Sequence, residues 1–130
     1  MKRRYAIIVL MATLSILSIS MVSAEYYLPG SLSKVGGPLW RISSYEAENI
    51  KTIDSFEVVY WDGSQEVAET IQIRRSWIKN GAAYILLDAT DIPDIPDESK
   101  LSTSITVEGL LNGDVPFTIS SQGFMWRRRP

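Results

Sequence analysis

Residues 71–87 read IQIRRSWIKNGAAYILL, and the way they pair decides the fold class. Asn80 and Gly81 stand between two apolar, β-branched runs. Both tolerate the positive φ that a two-residue type I′ turn demands, so the stretch predicts a β-hairpin. That turn places Trp77 opposite Tyr84. Carried back without interruption, the same register puts Ile71 and Ile73 on the face of Trp77, while Ile78, Ile85 and Leu87 take the other face. One extra residue at Arg74–Arg75 removes the conflict. With a bulge there, Ile71, Ile73, Ile78, Ile85 and Leu87 share the core face and the Trp77–Tyr84 pair turns outward.

A second hairpin follows downstream. Leu101, Ile105 and Val107 alternate with Ser102, Ser104, Thr106 and Glu108, the period-two pattern of a half-buried strand. A two-residue turn at Asn112–Gly113 would set Phe117 and Ile119 against Glu108 and Thr106. A three-residue loop, Asn112-Gly113-Asp114, instead sets Val107 opposite Ile119 and Gly109 opposite Phe117, and is preferred because apolar then meets apolar.

Outward from these hairpins, short β-branched and aromatic runs alternate with Gly, Asn, Asp and Pro. They predict strands near 39–44, 54–61, 66–78, 82–89, 101–109, 115–121 and 124–128. Ser43 and Glu46 have capping-box spacing, which suggests a short helix at 45–51. The expected fold is all-β, a single small antiparallel β-sandwich of about seven strands spanning 39–130, immunoglobulin-like in architecture. Residues 25–38 contain Pro29, Gly30, Gly36, Gly37 and Pro38 and read as a flexible lead-in. Its Tyr26, Tyr27, Leu28, Leu32 and Val35 are more apolar than a tether requires.

The first 24 residues have the layout of a signal peptide: Lys2, Arg3 and Arg4, then an uncharged apolar stretch, then Val22-Ser23-Ala24 before Glu25. The competing reading is an uncleaved anchor through residues 5–22, at the short end of a bilayer span. Either way the positive-inside bias places Glu25 onward outside the cytoplasm, secreted or at the cell surface. What remains after Ala24 is enough for one core. It contains no Cys, so no disulfide staples it, and no Asn-x-Ser/Thr sequon. Three of the 13 basic residues lie in the export signal; the other 10 against 15 acidic residues give a net charge of −5. That balance argues against nucleic acid as a partner.

The segment DATDIPDIPDE, residues 88–98, spaces Asp88, Asp91, Asp94 and Asp97 by three, with Glu98 adjacent. Pro93 and Pro96 favour extended polyproline geometry, which has three residues per turn and would align these carboxylates along one edge. Asp91, Asp94, Asp97 and Glu98 are therefore candidate Ca2+ ligands, although the spacing is not that of an EF-hand. The alternative is a solvated acidic loop whose prolines stop strand pairing. No other cofactor is suggested. Arg127, Arg128 and Arg129 follow Trp126 and form a candidate clamp for an anionic polymer, a phospholipid headgroup or an acidic loop on a neighbouring subunit; the competing reading is a frayed, solvated terminus.

With neither His nor Cys in the chain, the commonest general base, the thiol nucleophile and the usual zinc ligands are all missing. Ser99 and Lys100 are adjacent, whereas a working dyad depends on a geometry that adjacency in sequence does not supply, and Gly36-Gly37-Pro38 lacks the Lys and helix of a phosphate loop. The first functional expectation is a non-catalytic exported structural protein. Its partner would be itself or another surface protein, joined when the segment from Tyr26 to Val35 adds as a strand to a neighbour's sheet edge. A second expectation is a monomeric module that captures a glycan, a protein or Ca2+ through the Trp77–Tyr84 face or the acidic loop. The third is the outer domain of a membrane-anchored complex.

Overall fold

The computed structural model describes residues 26–123. Their strands are β1 (Tyr26–Tyr27), β2 (Ser31–Gly36), β3 (Leu39–Ser43), β4 (Ile50–Trp61), β5 (Glu66–Thr70), β6 (Ile73–Lys79), β7 (Ala82–Leu87), β8 (Ser104–Leu111) and β9 (Val115–Gln122). They form two sheets, one of five strands in the order β1-β9-β8-β4-β5 and one of four in the order β2-β3-β7-β6. The architecture is all-β with two packed sheets, as the alternating patterns predict. All pairs are antiparallel except β1 with β9, which run parallel.

Both hairpins form in the predicted registers. Asn80 and Gly81 have φ of 53° and 75°, Trp77 pairs with Tyr84, and the register shifts between Ile73 and Arg75, where the bulge is needed. At the second hairpin Val107 pairs with Ile119 and Gly109 with Phe117, around a loop in which Gly113 and Asp114 both have positive φ. Ile71, Ile85 and Leu87 are buried and Ile73 packs at the margin of the core. Ile78 lies on the core-facing side but remains 39% exposed, because among the described residues β6 is the edge strand of its sheet.

Four expectations are corrected. The single strand expected at 66–78 is two strands in different sheets. The crossing is at Ile71, which is buried and donates its N–H to the Phe56 carbonyl, and Gln72. The helix at 45–51 is one 3-10 turn, Ala47–Asn49, because Ser43 ends β3 and Ser44 Oγ, not Ser43, accepts the Glu46 N–H. The strand at 101–109 begins at Ser104; before it, residues Asp97–Ser102 form a 3-10 helix that leaves Leu101 70% exposed. The strand expected at 124–128 lies outside the described residues.

The fourth correction concerns residues 25–38, expected to be a flexible lead-in. Tyr26 and Tyr27 pair with Phe117 and Thr118, and Ser31–Gly36 pairs with β3 along its length. Leu28 and Leu32 are buried in the core. Pro29 and Gly30 mark the crossing from one sheet to the other, and Gly36, Gly37 and Pro38 the turn from β2 to β3 within one sheet, while burial of Leu28 and Leu32 offsets the ordering of the backbone.

One core lies between the sheets. Trp40 of β3 meets Phe56 of β4 edge to face, with centroids 5.4 Å apart, and Ile42, Ile85, Val58, Ile105, Val107 and Phe117 fill the space around them. Gly109 belongs to this layer. A Cβ there would collide with the Thr52 carbonyl oxygen and fall within 2.9 Å of Phe117 Cε2, so the Phe117 ring occupies the volume a side chain would need.

Candidate functional site

Alternation along each strand sends every second side chain outward, so each sheet has an outer face that no other described strand covers. On the four-stranded sheet, the registers align Trp77, Tyr84, Arg41 and Ser33 in one row across β6, β7, β3 and β2. The Trp77 and Tyr84 rings stack with centroids 5.6 Å apart and an interplanar angle of 11°. Arg75, two residues before Trp77 on the same face, places its guanidinium 4.7 Å from the Trp77 ring centroid. Both rings are half-buried. The stacked rings and the guanidinium thus hold one another in place on this face.

The five-stranded sheet presents a different outer face. Tyr27, Thr118, Glu108 and Ser55 align in one row across β1, β9, β8 and β4. Beside them lies an open groove of about 620 Å3, bounded by Tyr27, Asp54, Glu108, Leu110 and Pro116. A register shift between Ile53 and Ser55 turns Asp54 toward this groove. The second row contains Ser120, Thr106, Glu57 and Thr70, and a third contains Val59 and Ala68. Paired carboxylates catalyse glycoside hydrolysis in clefts that exclude water, whereas Asp54 and Glu108 are both exposed on an open surface.

The acidic segment does not form the expected cation site. Asp88 caps the 3-10 turn Ala89–Asp91 by accepting from the Thr90 hydroxyl and N–H, which holds its carboxyl below the usual range. Asp91 turns back to accept the Gln72 N–H at 2.7 Å. Asp97 pairs with Lys100 at 2.9 Å inside the following 3-10 helix, with its side chain 93% exposed. Among the described residues no three His, Cys, Asp or Glu side chains converge, so Asp91, Asp94, Asp97 and Glu98 are not brought together. The polyproline line breaks as Asp88 is held by Thr90, Asp91 by the Gln72 N–H and Asp97 by Lys100. Asp62 behaves in the same way at its turn, accepting from the Ser64 and Gln65 N–H groups.

The apolar N-terminal residues are divided. Leu28 and Leu32 are interior; Tyr26 donates its hydroxyl to Glu46 at 2.7 Å; Tyr27 is 67% exposed at the groove; Val35 is exposed at the sheet edge. The segment is thus engaged within its own molecule and is not a spare strand. Arg127, Arg128 and Arg129 lie outside the described residues, as do residues 1–24. Among the described residues no helix is long and apolar enough to cross a membrane.

Two features escape a reading of the sequence. One is the groove, whose walls come from β1, β4 and the β8–β9 hairpin, three segments far apart in the chain. The other is Lys34, which follows Leu32 on the inward face of β2 and places its ammonium 5.5 Å from the Trp40 ring centroid. Burial first, and the Lys100 charge second, bring its pKa down to about 8. The alternation of Leu32 and Lys34 is visible in the sequence, but without the pairing of β2 to β3 it has no side. No family model, curated protein or solved structure matches the chain.

Proposed function

We propose that this chain is a non-catalytic domain, exported to the cell surface or beyond, with an immunoglobulin-like arrangement, and that it associates with copies of itself. The strand orders support the arrangement. The order β2-β3-β7-β6 corresponds to the A-B-E-D sheet of that fold, and β9-β8-β4-β5 to G-F-C with an added C′. Phe56 on β4, the counterpart of strand C, packs edge to face on Trp40 between the sheets, and strand C is where immunoglobulin domains carry their core aromatic residue. Export rests on the layout of residues 1–24.

The observation that carries self-association is the Arg75–Trp77–Tyr84 ladder on an uncovered face. Tyr, Trp and Arg dominate protein interfaces because they bring large area and directed polar groups at low entropic cost. Strand addition through residues 26–35 would require pulling Leu28 and Leu32 out of the core, so association is assigned to the faces instead. The second reading, a monomeric binding module, is favoured by the groove beside Tyr27. Light scattering behind size exclusion on the exported protein, with intact mass from the same fractions, separates them. Concentration-dependent assemblies support association. A monomer at all concentrations supports the module, and a mass that retains residues 1–24 supports an anchored domain.

A further inference from the structure

Charge is segregated by sheet. The strands of the four-stranded sheet contain five basic residues, Lys34, Arg41, Arg74, Arg75 and Lys79, and no acidic one. The strands of the five-stranded sheet contain five acidic residues, Asp54, Glu57, Glu66, Glu69 and Glu108, and one basic, Lys51, which is paired to Asp114 at 2.6 Å. Alternation leaves Arg41, Arg75 and Lys79 on the outer face of the first sheet and Glu57, Glu66 and Glu108 on the outer face of the second. In a sandwich those faces point in opposite directions.

We propose that one copy docks its basic, aromatic face on the acidic face of a second copy. This names the surfaces of the self-association described above and rests on that reading. The spacing suits it. Arg75 and Lys79 are four residues apart on β6, about 13 Å; Glu57 and Glu66 are separated by the same four-residue offset and one strand, about 14 Å. Midway between the basic pair stands Trp77. Midway between the acidic pair stand Val59 and its cross-strand partner Ala68, a small apolar patch for the ring to cover. Two ion pairs thus flank an aromatic anchor, an arrangement that favours contact between unlike faces and opposes contact between like faces through charge repulsion.

The test uses the exported full-length chain and three variants: R75E/K79E, E57K/E66K, and the quadruple variant that combines them. All four positions are exposed, and thermal melts check that each variant stays folded. Association is followed by light scattering at low salt. Each double variant presents like charges to itself and should weaken self-association by about tenfold or more. The quadruple variant restores complementarity with the two faces exchanged and leaves net charge unchanged, so it should regain association. An equimolar mixture of the two double variants should form heterologous complexes that neither forms alone. Raising salt from about 0.05 M to 0.5 M should weaken the native assembly, because screening shortens to a few ångström. If the native chain assembles but neither double variant changes it, these surfaces are wrong while self-association stands. If the native chain stays monomeric up to about 1 mM at low salt, both readings fall.

Discussion

Replacing Leu32 by Ala asks whether the stretch before residue 39 belongs to the fold. Leu32 is 4% exposed, pairs with Ile42 across β2 and β3, and contributes to the common core. Leu→Ala at a buried site costs about 2–5 kcal/mol, the sum of lost transfer energy and the residual cavity. Because β2 is an edge strand that relaxes toward the gap, the lower half applies, about 2.5 kcal/mol. A domain of this size unfolds in urea with m of about 1–1.5 kcal/mol/M, so the midpoint should fall by about 2 M. Val35→Ala, on the same strand but 49% exposed, should shift it by less than about 0.4 M. Urea titrations followed by Trp fluorescence compare the two, since buried Trp40 reports on the core. A tether predicts no effect from either substitution. Equal midpoints for Leu32→Ala and Val35→Ala would therefore overturn the assignment of β2 to the core.

Gly109→Ala, although only a methyl group, should destabilise by more than about 2 kcal/mol, because the new Cβ meets the Thr52 carbonyl and the Phe117 ring; a melting temperature within about 2 °C of native would contradict that geometry. Lys34 has a folded-state pKa near 8 against 10.5 unfolded, so between those values the unfolded chain binds more protons and stability rises with pH. Lys34→Met removes this dependence. The variant should be the more stable at pH 7, with the gap narrowing as pH rises to 10.5, and a constant gap would refute the burial of the ammonium. Tyr60 is pushed up to about 12 by burial and then by its bond to Glu69; its contribution is present below pH 10 and lost toward pH 12, in both proteins alike. Millimolar CaCl2 should leave the melting temperature unchanged within about 1 °C, since among the described residues no three carboxylates of the acidic segment converge; a saturable rise would restore the cation site.

The hairpins are legible in the sequence because their determinants are local. Asn80-Gly81 sets one register, and the positions of Ile71 and Ile85 demand the bulge by side-chain alternation alone. The outward Trp77–Tyr84 pair follows from the same alternation, so one part of the candidate site is readable. The lead-in misleads because Pro29, Gly30, Gly36 and Gly37 signal turns and tethers alike; what separates them is whether Leu28 and Leu32 find a cavity, which is a tertiary fact. The acidic loop misleads for the reverse reason. Threefold spacing describes an isolated polyproline segment, and it fails once Asp88 caps a turn and Asp91 reaches Gln72. Charge segregation is hidden for a third reason. Each strand's charges are plain in the sequence, but which strands share a sheet is set by long-range pairing.

The edges of this sandwich explain why association should fall to its faces. The edge strands are β1, β5, β2 and β6. β1 has two residues and β5 has five, with Glu66 and Glu69 among them. β2 is bulged between Lys34 and Gly36 with a lysine turned inward, and β6 is bulged at its start and carries Arg74, Arg75 and Lys79. Shortness, bulges and charge are the devices by which natural sheets prevent edge-to-edge pairing. Contact between unlike faces then has a consequence for symmetry. When a basic face covers an acidic one, the pair still presents one free face of each kind, so the contact is heterologous and does not close on itself as a two-fold dimer does. Mass photometry across a concentration series should accordingly show dimers, trimers and longer species growing together. A dimer that remains the sole product at saturation would mean that the contact is two-fold and that the faces do not meet as unlike charges.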